Sequence, residues 1–352
     1  MKRLLALALC AAFALNAEAR TLYVDASRPN NSGNGLSVKK AKKTLQAAVN
    51  VSKNGDTIIV LKGTYAAPLK TNNKRLRIKS RAGADATTIS AKKWLDNYSL
   101  NLGSGTSTAM TGFTVTPKFT KYDWDEDGGG SYSVAGGVKG GSLSNCRLVE
   151  LGETYNVKWT VSKSKLVACV LDQCKADTYG NFVTGSTLTR CKVDGSGWKT
   201  AKVQSSKFAN SLIANTQYVA FQSCVFGNCT VADNTKLSMK STKAYNTIFY
   251  KVGSAQFKSK KKNTLKNCYK GNPKFVALAK EPTYEWVETD PDTGDGYYDS
   301  DGTPADYHLQ VGSPCIDKGT KTSAAKKLYG KKDLDGKKRV RGKSVDIGCY
   351  EF

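Results

Sequence analysis

Two runs of acidic residues stand out from a chain dominated by lysine. In the first, Asp123, Asp125 and Asp127 alternate and lead into Gly128. Alternating carboxylates before a glycine open an EF-hand-like loop, because calcium gathers oxygen ligands around a sharp turn. The twelfth position of such a loop is Val134, so the closing bidentate glutamate is missing. The second run gathers Asp290, Asp292, Asp295, Asp299 and Asp301 around Gly296. Calcium is the cofactor these eight aspartates suggest, since it would neutralise carboxylates that otherwise repel one another. The plain alternative is a pair of solvated acidic loops.

Other chemistries find less support. His308 is the sole histidine, so a zinc site built on histidines is excluded. A Ser-His-Asp triad would need His308, Asp317 and a serine that no motif singles out. A structural role is expected for this histidine. Asp172, Asp177 and Asp194 offer carboxylates in the middle of the chain, but glycoside hydrolysis needs two of them facing one groove. Trp159, Trp198, Tyr179 and Tyr218 could stack on sugar rings, with burial as the competing fate of the tryptophans.

The first 19 residues read as a cleaved signal peptide. Lys2 and Arg3 precede an apolar run from Leu4 to Leu15, and Ala17-Glu18-Ala19 supplies the small-residue cleavage site. Export to the outside or to the cell surface is therefore expected. The formal net charge is +25, or +24 once this segment is removed. Such a field draws anionic partners: uronate or sulfated polysaccharide, the cell surface, or nucleic acid. Export and the lack of any nucleic-acid-binding motif make nucleic acid unlikely. No later stretch is apolar enough for a transmembrane segment, and a monomer is expected.

What must position all these residues is a repeat. An apolar residue, a small residue and a second apolar residue recur as LSNCRL (143–148), LVACVL (166–171), LTRCKV (188–193) and FANSLI (208–213). NCTV (228–231), YNTIF (245–249) and LKNCY (265–269) continue the series. The small positions are Cys146, Cys169, Cys191, Ser211, Cys229, Thr247 and Cys268, separated by 23, 22, 20, 18, 18 and 21 residues. Short alternating strands at this period predict an all-β, single-stranded right-handed parallel β-helix, each coil stacked about 4.8 Å above the last. Roughly 250 residues make about eleven or twelve coils, a rod on the order of 55 Å long. The cysteines then form a buried column and pack as small apolar groups, in preference to disulfides or metal ligands. Asn145, Asn210, Asn228, Asn246 and Asn267 precede the small residue, where asparagine tolerates left-handed backbone and bonds up and down the stack.

The ends of a solenoid need covers. TLYVDA (21–26) reads as a strand, and Thr44 opens a short capping helix with Leu45, Ala48 and Val49 on one face. The stretch GLSVKKAKKTLQAAVNVSKNGDTIIVLKGTY resembles the opening of secreted proteins of the pectate-lyase-like superfamily, choice-of-anchor Q type. DYHLQVGSPCIDKG (306–319) and DLDGKKRVRGKSVDIGCYEF (333–352) resemble the closing signature of the same group. The resemblance implies a β-helix and leaves function open among lyases, epimerases and adhesins. Together these readings divide the chain into a signal peptide (1–19), a β-helix with its cap (20–276), an acidic insertion loop (277–305) and a closing coil (306–352).

Two functions follow. One is a binding rod for anionic polysaccharide or cell-surface glycan, favoured because lysines run along the whole chain. The other is a polysaccharide lyase that cleaves a uronate polymer by β-elimination, with calcium or cations neutralising the carboxylate and Lys or Arg as base. No catalytic residue can be named for it.

Overall fold

The computed structural model describes residues 18–352 apart from 92–97, 105–106, 118–122, 125–129, 132–134, 150, 153–159, 173–180, 195–200, 217, 257–262, 278–283, 291–294 and 301–304. The stretch expected to be a signal peptide lies outside the described residues, except Glu18 and Ala19.

The repeat builds a parallel β-solenoid. One sheet stacks 11 strands, from Thr21–Val24 to Thr264–Lys266, with every neighbour parallel. A second sheet of 17 strands takes the remaining strands of the coils. Register is set by alternation, because a one-residue slip would turn every inward side chain to solvent. In the first sheet Leu22, Ile58, Ile78, Met110, Leu143, Leu166, Leu188, Phe208, Phe226 and Ala244 lie directly above one another, all buried. Phe208 stacks on Phe226 with ring centroids 5.1 Å apart, and Phe221 meets Phe226 edge-on at 4.8 Å.

From the coil of Ser142–Ser144 to that of Lys243–Tyr245, two tight corners per coil use left-handed backbone. The expected asparagine corner is present: Asn145, Asn210, Asn228, Asn246 and Asn267 have φ of 50°, 48°, 51°, 49° and 51°. Ala168 and Arg190 take the same corner with φ of 52°, at a cost of about 1–2 kcal/mol each for a Cβ crowding the carbonyl. A second corner, not read from the sequence, falls at Lys163, Gly185, Ser205, Ser223 and Ser241. Each is followed by a small buried residue: Ser164, Ser186, Ser206, Cys224 and Thr242. The hydroxyls among them tie coil to coil, as where Ser164 N donates to Ser186 Oγ at 3.1 Å and Ser186 N to Ser206 Oγ at 3.2 Å.

The N-terminal end is covered as expected. Helix α1 (Leu45–Val51) is capped by Thr44, whose hydroxyl accepts from Ala47 N at 3.3 Å, and it buries Leu45, Ala48 and Val49. Residues 284–300, expected to lie in a loop, contain an antiparallel hairpin of Tyr284–Asp290 and Asp295–Ser300. Aromatic and β-branched residues on both arms favour strands there.

The C-terminal segment lies along the flank of the rod. The strand Asp306–Leu309 pairs antiparallel with Phe275–Ala277. Beyond it, the chain runs past the asparagine corner and includes helix α2 (Ser323–Tyr329), which packs on the strands Lys207–Ala209 and Val225–Gly227. Gly227 is required there, because a Cβ would meet Leu328 Cβ at 2.3 Å. A second core forms between this segment and outward residues of the rod. Leu212, Ala214, Ala232 and Ile248 join Tyr307, Cys315, Leu334, Ile347 and Tyr350 in it.

Candidate functional site

The solenoid sorts its charges by face. On the outward side of the first sheet, one column runs Thr57, Arg77, Ala109, Ser142, Lys165, Thr187, Lys207, Val225, Lys243 and Thr264. The column beside it runs Ile59, Lys79, Thr111, Ser144, Val167, Thr189, Ala209, Gly227, Tyr245 and Lys266. Neither contains a carboxylate. A like-charged face with low-dielectric walls behind it concentrates the potential felt by an approaching anion.

A second polar face belongs to the other sheet. Asn101, Lys139, Ser162, Thr184, Gln204, Gln222 and Lys240 stand in one column, and Lys202, Ala220 and Ser238 in another. Tyr218, half-buried, has its hydroxyl 2.9 Å from Ser238 Oγ, with Lys236 Nζ 5.2 Å from its ring centre. Lys139 Nζ sits 5.7 Å over the ring of Tyr98. A tyrosine flanked by an ammonium offers a sugar ring both a stacking surface and a charge.

Carboxylates appear on the strands of the second sheet that follow the asparagine corner, such as Lys192–Asp194, and in the terminal segment. Asp194 accepts from Asn215 Nδ2 at 3.3 Å through both oxygens. His308, expected to be structural, bridges two aspartates. Its Nδ1 is 2.5 Å from Asp306 Oδ1 and its Nε2 2.8 Å from Asp335 Oδ2, and Lys337 Nζ approaches Asp335 at 3.1 Å. Its ring lies on that of Tyr350, centroids 3.8 Å apart. Burial works against the imidazolium, but the hydrogen bonds to Asp335 and Asp306 outweigh it and raise the pKa above the ordinary histidine value. Asp317, the aspartate weighed for a triad, instead accepts from Ser344 N at 2.7 Å.

Behind this clamp Arg339 is fully buried and faces Glu351, Nε to Oε2 3.3 Å, while its other nitrogens donate to the carbonyls of Asp346, Gly348 and Cys349. Desolvation pushes Glu351 up to about 8 against the pull of Arg339. An open pocket of about 280 Å³ beside it is lined by Ile316, Asp317, Arg341, Gly342, Asp346, Glu351 and Phe352. The carboxylates on its wall are engaged by backbone: Phe352 N and Asp317 N each donate to Asp346 at 2.7 Å.

The aspartates proposed as calcium ligands fall partly within the described residues. Asp123 lies in a short strand opposite Ser131, and Asp125 and Asp127 lie outside the described residues. Asp290 faces Asp295 across the hairpin and Asp299 faces Glu285, whereas Asp292 and Asp301 lie outside. Among the described residues no group of three or more His, Cys, Asp or Glu is placed to hold a metal ion. Asp172 ends the strand Val170–Asp172. Asp177, Trp159, Trp198 and Tyr179 are outside the described residues.

The column of small residues is present, with Cys146, Cys169, Cys191 and Cys229 buried and Cys268 half-buried. All five are free thiols, as are Cys224, Cys315 and Cys349. No described helix is long and apolar enough to cross a membrane.

No protein-family model and no curated protein matches the sequence. Among solved structures, pectate lyase Pel9A aligns over 95% of this chain and 97% of its own, at 13% identity and a TM-score of 0.44. A rhamnogalacturonan lyase aligns over 83% and 97%, at 10% identity and a TM-score of 0.44. The GH136 lacto-N-biosidase from Eubacterium ramulus aligns over 72% and 68%, at 10% identity and a TM-score of 0.40.

Proposed function

We propose that this chain is an exported or cell-surface rod that binds anionic polysaccharide or cell-surface glycan along its outer faces. The observation that supports it is the segregation of charge. Among the described residues, the outward columns named above carry Arg77, Lys79, Lys165, Lys207, Lys243, Lys266, Lys139, Lys202, Lys236 and Lys240 in register and no carboxylate. Lysines placed only for solubility would be interspersed with acids on every face. Calcium at the two aspartate runs belongs to the same proposal, as an ion that orders those loops.

The test incubates the mature chain, with and without calcium, with pectic, alginate and sulfated polysaccharides. Retention and the ultraviolet absorbance of unsaturated uronates are followed together. Retention that weakens with salt and leaves absorbance unchanged supports the binding rod. New absorbance would replace it with a uronate lyase acting by β-elimination, and absence of both signals would overturn it.

A further inference from the structure

The first face carries a spacing as well as a sign. Lys165, Thr187, Lys207, Val225 and Lys243 occupy successive coils of one column. The three lysines are exposed, and the residues between them are half-buried and uncharged. Coils stack about 4.8 Å apart, so cations recur about every 9.6 Å along the axis, over about 19 Å in all. Among the described residues none of the three forms an ion pair. Helix α2 packs on the neighbouring column, where Leu328 covers Gly227, and adds exposed Lys326 and Lys327.

We infer that this file of lysines binds a single linear carboxylated polysaccharide laid parallel to the rod axis, each lysine meeting the carboxylate of every second sugar. The inference rests on the function proposed above and names its surface and its charge repeat. In a flat two-fold ribbon, consecutive sugars are turned over, so alternate carboxylates face the same way. The repeat is one disaccharide, close in length to about two coils. Thr187 leaves room for the sugar between two lysines and offers it a hydroxyl. Nucleic acid fits worse, because a duplex carries a charge every ~1.7 Å of axis and would leave most phosphates unmatched. The second face lacks the spacing: Ser162, Thr184, Gln204 and Gln222 separate Lys139 from Lys240.

The experiment titrates the mature chain with oligomannuronate, charged on every sugar, and with hyaluronan oligosaccharides of equal length, charged on every second sugar. Two triple variants are compared: Lys165→Gln/Lys207→Gln/Lys243→Gln, and Lys39→Gln/Lys40→Gln/Lys53→Gln, which removes the same charge near the N-terminal cap. The expected result is similar affinity of the wild type for both polymers, a loss of at least about tenfold in the first variant and under about threefold in the second. Equal losses in both variants would overturn the file and leave general glycan binding standing. Failure of hyaluronan to bind where oligomannuronate does would overturn the two-coil repeat. Binding of neither polymer by the wild type would remove the proposed function itself. Displacement by oligothymidylate of equal charge would replace the polysaccharide with any polyanion.

Discussion

Asn246 donates from Nδ2 to Oδ1 of Asn228 on the preceding coil, at 3.1 Å. The same amide reaches Thr320 O at 3.0 Å, and its oxygen accepts from Thr320 N at 2.7 Å. Asn228 in turn donates to Asp346 O at 2.7 Å, Asn210 to Lys332 O at 2.8 Å and Asn267 to Lys318 O at 3.1 Å. The corner that turns the coil therefore also holds the terminal segment.

Asn246→Ala removes three hydrogen bonds and puts a Cβ residue without local compensation into left-handed backbone. We expect a loss of about 2–4 kcal/mol, from about 1 kcal/mol per bond and about 1 kcal/mol of backbone strain. Asn145, at the same corner but exposed, should lose no more than about half as much on the same substitution. Urea unfolding midpoints of the two variants check the difference.

The His308 clamp makes attachment of the terminal segment depend on pH. Because its pKa in the fold is raised, the stabilisation is complete below the ordinary histidine value and is lost as pH rises through the higher folded value. Cleavage near Asp335 by a non-specific protease should quicken over that range. In His308→Gln the rate should be flat with pH, and an unchanged slope would assign the effect to another group.

Glu351 reverses the usual sign for a carboxylate. Its pKa stands at about 8 in the fold against a reference of 4.5, so the folded state holds a proton that the unfolded state releases. Stability therefore declines as pH climbs from 4.5 towards 8. Glu351→Gln cannot ionise, and its disadvantage relative to wild type should shrink over that interval. Arg339→Ala should cost about 3–5 kcal/mol, since it leaves the carbonyls of Asp346, Gly348 and Cys349 buried without their donor.

Burial pushes the thiols of Cys229 and Cys349 up to about 12 and those of Cys224 and Cys268 up to about 11. Thiolate is the reactive form, so iodoacetamide at pH 8 should leave these four unmodified in the native protein. Cys268, the only partly exposed one among them, should label first as denaturant is added. Mass spectrometry of the tryptic peptides reports the order.

If calcium occupies the aspartate runs, millimolar calcium should raise the unfolding temperature. The linkage gives about 2.7 kcal/mol at a concentration one hundred times the dissociation constant. Asp123→Asn/Asp125→Asn/Asp127→Asn and Asp290→Asn/Asp292→Asn/Asp295→Asn should each reduce the shift. A calcium-independent melt in the wild type would dismiss the ion.

The solenoid was legible because its signal is local and repeated. Leu143, Leu166 and Leu188 announce an inward column, and the residue before each small position announces a corner. The serine corner was harder to see, since Ser205 and Ser223 look like any polar surface until their positive φ is known. The terminal strap was written in one column: Lys192 is followed on the next coils by Leu212, Thr230 and Ile248. An outward position that turns apolar needs a cover, but nothing local says that the cover lies about a hundred residues further on. Charge segregation was hidden for a related reason. Lysines spread evenly along a chain fall on chosen faces only once the register is known.

The strap has a consequence for the order of events in folding. A solenoid that grows by adding coils can close its first turns as soon as they leave the ribosome or the export channel. Leu212, Ala232 and Ile248 then remain bare until residues 307–350 emerge, so the middle coils wait on the last part of the chain to be made. A ribosome stalled before that point would display an adhesive stripe on an otherwise finished rod, and a chaperone that recognises apolar strands would find its target there.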